Sequence, residues 1–207
     1  MRALFVHGLG RTPLSSWPLL LQLRRAGFAT DTFGYFAAAQ SFAQIRERLT
    51  AKVTMLAARD DGYVLIGHSL GGVLIRAAVN ALPPGTPQPS HVFLLGSPIR
   101  ASRLAQKLQN NLVFRVVSGD CGQLLGSENR MQEIHALSAP TTSIVGDRGI
   151  ASTHGPFAGE ANDSIGPVSE ATADWFTAQV RIPCIHTLLP ASRRVGKIII
   201  ESMGMAN

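Results

Sequence analysis

The chain has 207 residues, 45% hydrophobic and only 15% charged, against about 25% charged in ordinary soluble domains, which excludes a disordered chain. The formal charge of +6 is carried almost entirely by arginine, but the arginines are scattered. With no block of five or more basic residues and no aromatic interleaving, a nucleic-acid surface is excluded, and only weak attraction to an anionic membrane surface is left open.

In chain order, strand and helix signals alternate. Arg2–Val6 is a short apolar run stopped by a glycine-rich turn, as a buried strand would be. Residues 14–26 predict a helix, with Pro18 tolerated in its first turn and Gly27 as its stop. Residues 28–33 alternate as a strand does. Ser41 and Gln44 have capping-box spacing, and Phe42, Ile45, Leu49, Val53 and Leu56 follow on one helical face. Residues 63–66 predict a strand that turns through Gly67-His68-Ser69-Leu70-Gly71-Gly72 into a helix over 73–82.

A strand is expected at His91–Leu95 and a helix at Arg103–Leu108, whereas residues 119–130 are rich in turn formers and predict no element. Residues 141–145 read as a strand, and 147–168 as a loop whose length points to function. A last strand at 181–185 and a last helix at 192–203 complete six strands, nearly all separated by helices. Such strands make a mostly parallel sheet covered on both faces, a three-layer αβα sandwich in one domain over residues 1–207. No apolar run approaches the roughly 20 residues that cross a bilayer. The apolar start is cut off at His7-Gly8, so the expectation is a cytoplasmic chain beginning at Met1. Cys121 and Cys184, far apart and in no paired motif, are expected as reduced thiols.

The chemistry concentrates at Gly67-His68-Ser69-Leu70-Gly71, a G-x-S-x-G pattern between a strand and a helix. A serine on so sharp a turn adopts a strained backbone, and the flanking glycines remove side chains that would collide with neighbouring elements. Its hydroxyl projects from the carboxyl end of the sheet, and the N–H of Leu70 points the same way from a helix N-terminus. After the first strand, His7-Gly8-Leu9-Gly10 offers the Leu9 N–H as a second donor for an oxyanion. A nucleophile with two such donors suits acyl transfer. No metal-binding pattern or phosphate-binding loop is present in the sequence, and no cofactor is expected.

With these motifs the sequence resembles the α/β-hydrolase superfamily, in particular its small lipases and esterases. Leu95-Gly96-Ser97-Pro98 also looks like a turn many lipases carry after the strand following the elbow. The chain opens on the strand with the His-Gly turn, so the resemblance implies a minimal sheet of six strands, lacking the family's first two, and little lid. It implies Ser69 as nucleophile and a histidine base after the last strand, where His186 stands, with His154 the alternative. The acid is Asp163 or Asp147. Asp163 lies in a stretch similar to the lipase segment that holds the acid, although Ser164 replaces the usual glycine; Asp147 follows a strand directly. His7 and His68 are expected to pack or hydrogen-bond locally. The implied activity is hydrolysis of a small-molecule or lipid ester through an acyl-enzyme. An acyltransferase with the same residues, or a non-catalytic binding protein on this fold, is the alternative.

Overall fold

The computed structural model describes residues 1–205. The six short apolar runs form strands β1 (Arg2–Val6), β2 (Ala29–Phe33), β3 (Tyr63–His68), β4 (His91–Leu95), β5 (Thr141–Gly146) and β6 (Ala178–Ile182). They make one sheet in the order β2-β1-β3-β4-β5-β6, with every neighbouring pair parallel.

Because side chains alternate across a strand, each central strand feeds two cores. Leu4, Val6, Tyr63 and Leu65 pack against α2 (Phe42–Ala57) and α3 (Leu70–Asn80), and the same layer holds α4 (Arg103–Leu108), α5 (Leu112–Gly126) and α6 (Glu128–Gln132). Ala3, Phe5, Val64 and Ile66 face the opposite layer, formed by α1 (Trp17–Arg25) and α7 (Arg193–Ser202). The expected three-layer αβα architecture is therefore observed. The Ser41 capping box is formed as well: its hydroxyl accepts from the Gln44 N–H at 3.2 Å, and the Gln44 side chain accepts from the Ser41 N–H at 2.9 Å.

Four boundaries differ from the sequence expectation. The helix expected over 14–26 begins as a 3-10 turn, Pro13–Ser16, and only then becomes α1. Strand β3 runs two residues further, through Gly67 and His68, and α3 begins at Leu70, leaving Ser69 alone between them. Strand β6 is shifted, running Ala178–Ile182 rather than 181–185, and it stops there because Pro183 has no N–H to continue the ladder.

The fourth difference is residues 119–130, which are largely helical. Asn111 caps α5 by accepting from the Phe114 N–H at 3.0 Å. The helix then breaks at Gly119 (φ 54°, ψ −147°) and resumes. Asp120 fixes this break through tertiary contacts, accepting from the Phe42 N–H at 2.8 Å and pairing with Arg130 at 2.8 Å. Phe42 is 78 residues from Asp120 in sequence, so local turn propensity pointed the wrong way. Both cysteines are free thiols, Cys121 in the core and Cys184 half-buried.

Candidate active site

The strand register brings the carboxyl ends of β1, β3 and β4 side by side, with Val6 opposite Gly67 and His68 opposite Leu95. Ser69 sits at that edge with φ 53° and ψ −123°, a conformation costing a non-glycine residue about 1–3 kcal/mol. The turn is held by the Ser69 N–H donating to the Leu95 carbonyl at 2.9 Å and by Ser97 Oγ donating to the Ser69 carbonyl at 2.6 Å. Its compactness depends on absent side chains. A Cβ on Gly67 would overlap Gly72, one on Gly71 would overlap the Val6 carbonyl, and one on Gly72 would overlap Ser97.

Asp163 lies 23 residues before His186 and is held by its own loop. The Asn162–Pro167 bridge closes that loop, and Asp163 Oδ1 accepts from the N–H groups of Ile165 (3.0 Å) and Gly166 (2.9 Å). The Ser164 between them has φ 85°, the left-handed conformation that explains why glycine is usual there. The second oxygen, Oδ2, is 2.6 Å from His186 Nδ1, and the His186 N–H donates to the Asp163 carbonyl at 2.8 Å. Both side chains are buried, and the carboxylate fixes the Nδ1–H tautomer, leaving Nε2 as an acceptor.

Gly96 makes room for this pair. It has φ 56°, and a Cβ there would lie 3.0 Å from His186 Nδ1 and 3.1 Å from Asp163 Oδ2.

Ser69, His186 and Asp163 line one cavity of about 250 Å³. No hydrogen bond joins the Ser69 hydroxyl to the imidazole in this structure. Leu9 lines the same cavity, and Gly8 lies against the Ser69 turn, where an added Cβ would be 3.1 Å from the Ser69 Cβ. Leu70 has its side chain in the core, so only its backbone N–H is available to the site. Neither the Leu9 nor the Leu70 N–H donates to a backbone acceptor among the described residues; for Leu70 this follows from its place in the first turn of α3.

The other candidates are not drawn into this cluster. Asp147 is exposed at the end of β5, and His154 is exposed, with its Nδ1 3.3 Å from the Thr153 hydroxyl. His7 bonds locally as expected, its Nδ1–H donating to the Gly8 carbonyl at 2.9 Å, although its Nε2 also accepts from the Tyr35 N–H at 3.3 Å, 28 residues on, and its ring stacks on Tyr35.

His68 does not. Its Nε2–H donates at 3.0 Å to the carbonyl of His186, 118 residues away, and its ring lies 4.7 Å from the His186 ring. Burial pushes its basicity well below the ordinary histidine value, so it stays neutral beside the His186 ring. The motif placed His68 next to Ser69, but nothing in the sequence indicated the contact with His186.

Glu170 and Arg103 were also missed. Burial raises the Glu170 carboxyl, which accepts from Arg103 Nε at 3.1 Å at the cavity wall.

Comparison with known proteins agrees with this fold. The profile described as "Alpha/beta hydrolase family" matches residues 3–196. No curated protein sequence matches the chain. Among solved structures, the mature lipase BlEst2 of Bacillus licheniformis superposes with a TM-score of 0.74 at 15% identity, covering 99% of this chain and 92% of that one. The metagenomic carboxyl esterase MGS0156 gives 0.75 at 17% identity over 98% and 74% of the two chains. The RedJ thioesterase of Streptomyces coelicolor gives 0.64 at 16% identity over 100% and 90%. At these identities the likeness is one of fold, and the match over residues 3–196 places the chain in the alpha/beta hydrolase family.

Proposed function

We propose that the protein is a serine hydrolase of carboxylic esters, a reading carried by the 2.6 Å contact between Asp163 and His186 in the cavity that Ser69 also lines. Ser69 Oγ attacks the acyl carbon while His186 Nε2 takes the hydroxyl proton, and Asp163 stabilises the imidazolium. The N–H groups of Leu9 and Leu70 receive the oxyanion, each such donor being worth about 3–4 kcal/mol of barrier. The protonated His186 returns its proton to the leaving alcohol. Water, deprotonated by His186, then releases the acid from Ser69. The cavity is at the small end for ligand pockets and its walls are mainly apolar, which favours short acyl chains.

Incubation with a fluorophosphonate probe is expected to label Ser69, and Ser69→Ala is expected to abolish both labelling and ester turnover with an unchanged melting transition. Turnover that survives the substitution would refute the reading, and absence of labelling would favour a binding protein. A competing alcohol separates hydrolysis from acyl transfer by its products.

A further inference from the structure

The cavity around Ser69 has two unlike walls. One is apolar, built from Leu104 and Leu108 of α4, Phe114 and Leu125 of α5, and Val168 beyond the Asp163 loop. The other comes from two polypeptide segments that pack on each other, the β1–α1 connection and the 3-10 turn His186–Ala191, and it supplies Arg11 and Thr187.

The charged residues lining this cavity differ in their commitments. Asp163 is engaged by His186 and two backbone N–H groups, and Glu170 by Arg103. His68 is neutral through burial. Arg11, half-buried, has no carboxylate within ion-pair distance among the described residues. Its backbone is nevertheless fixed, because the Arg11 N–H donates to the Gly8 carbonyl at 3.2 Å and closes the turn that carries the Leu9 N–H. The guanidinium therefore projects from a held turn two residues from a proposed oxyanion donor. His68, which lines the same cavity, has its Nδ1 buried without a partner among the described residues.

We propose that Arg11 is a specificity-determining residue that pairs with an anionic group, phosphate or carboxylate, on the alcohol portion of the ester, while an apolar acyl chain lies along the α4–α5 wall. A guanidinium offers a planar fork of donors that matches either anion, and partial burial strengthens the pair relative to open water. The substrate class is an amphipathic ester with a short apolar acyl chain and an anionic alcohol side. This assignment rests on the serine-hydrolase reading.

The test compares kcat/KM for octanoylglycerol and octanoylglycerol phosphate below their micellar concentrations, in the full chain and in Arg11→Gln and Arg11→Glu. The wild type is expected to prefer the phosphate by at least about tenfold, Arg11→Gln to bring the ratio close to one, and Arg11→Glu to reverse it. No preference in the wild type, or a preference that survives Arg11→Gln, overturns the proposal. So does a preference confined to an anion at the far end of the acyl chain, read from nitrophenyl esters of octanoic and suberic acids.

Binding of octyl phosphate against octanol to Ser69→Ala, with and without Arg11→Gln, reads the same selectivity without turnover. Absence of ester cleavage by the wild type would count against the hydrolase reading alone. A binding ratio near one with Arg11 intact would count against Arg11 alone.

Discussion

At the scale of single residues, the proposed site depends as much on missing atoms as on functional groups. Gly96 has no hydrogen-bonding side chain, yet it borders both His186 and Asp163, with Leu189 Cδ1 2.9 Å from where a Cβ would stand. Gly96→Ala must displace one of these groups while also holding alanine at φ 56°. A misplacement of about 1 Å at a reacting geometry costs on the order of a hundredfold. The expected result is therefore a fall in kcat of at least tenfold, measured with a neutral nitrophenyl ester, whereas a wild-type kcat would show that the pair tolerates displacement. Ser69 was legible from its motif, and the family resemblance narrowed the other two positions to Asp163 or Asp147 and to His186 or His154. The function of Gly96 was not, because it arises only where β4 passes beneath a pair contributed by two later loops.

At the scale of elements, α5 is where tertiary contact overrides local preference. Leu112, Val113, Val116 and Val117 are exposed on its first half, while Phe114 lines the cavity and Cys121, Leu124 and Leu125 enter the core. The change of face coincides with the break at Gly119, which packs so closely on the connection before α2 that a Cβ would overlap the Ala37 carbonyl. Gly119→Ala combines this overlap with a positive φ. Overpacking and backbone strain each cost about 1–3 kcal/mol, so a loss of at least about 2 kcal/mol is expected. For a chain of this length that lowers the thermal midpoint by about 4–8 °C, read by calorimetry.

A buried arginine ties other elements together with no carboxylate partner among the described residues. Arg76 of α3 donates to the carbonyls of Ile134 and His135 beyond α6 and to that of Ile99 after β4, and it lies over Trp175. Burial lowers its pKa to about 10.

At the scale of the whole molecule, acid sensitivity follows from three histidines buried as neutral rings. His7, His68 and His91 are all pushed below the ordinary value of about 6.5, with burial the largest cause in each. Below that value the unfolded chain binds protons that the folded chain does not, so stability is fully present above about pH 6.5 and is lost progressively as pH falls. Asp31, Asp120 and Glu160 are shifted down from carboxylate values and add their losses at lower pH. Glu170, raised by burial, acts in the opposite sense above its ordinary value. The thermal midpoint should therefore fall between pH 7 and pH 5, and His68→Gln should flatten that slope. A midpoint that stays constant or rises over this interval would contradict the assignment.

The sequence by itself determined the six-stranded αβα architecture, the turn at Ser69 and the candidates His186 and Asp163. The architecture and the turn follow from local pattern: apolar runs of strand length, helical periodicity, and glycines where no side chain fits; His186 and Asp163, beside His154 and Asp147, were implied by the family resemblance. Only the tertiary structure decided that Asp163 rather than Asp147 meets His186, that His68 reaches a carbonyl 118 residues away, and that Arg11 faces the cavity beside Ser69. The physical reason is common to all three. Each depends on a distance between groups remote in sequence, set by the parallel register of the sheet and the folding of its loops, which periodicity and spacing do not encode. The low charged fraction and the +6 balance seen at the outset gain meaning in the same way: a sheet covered on both faces needs few charges, and Arg11 gives one of them a specific place.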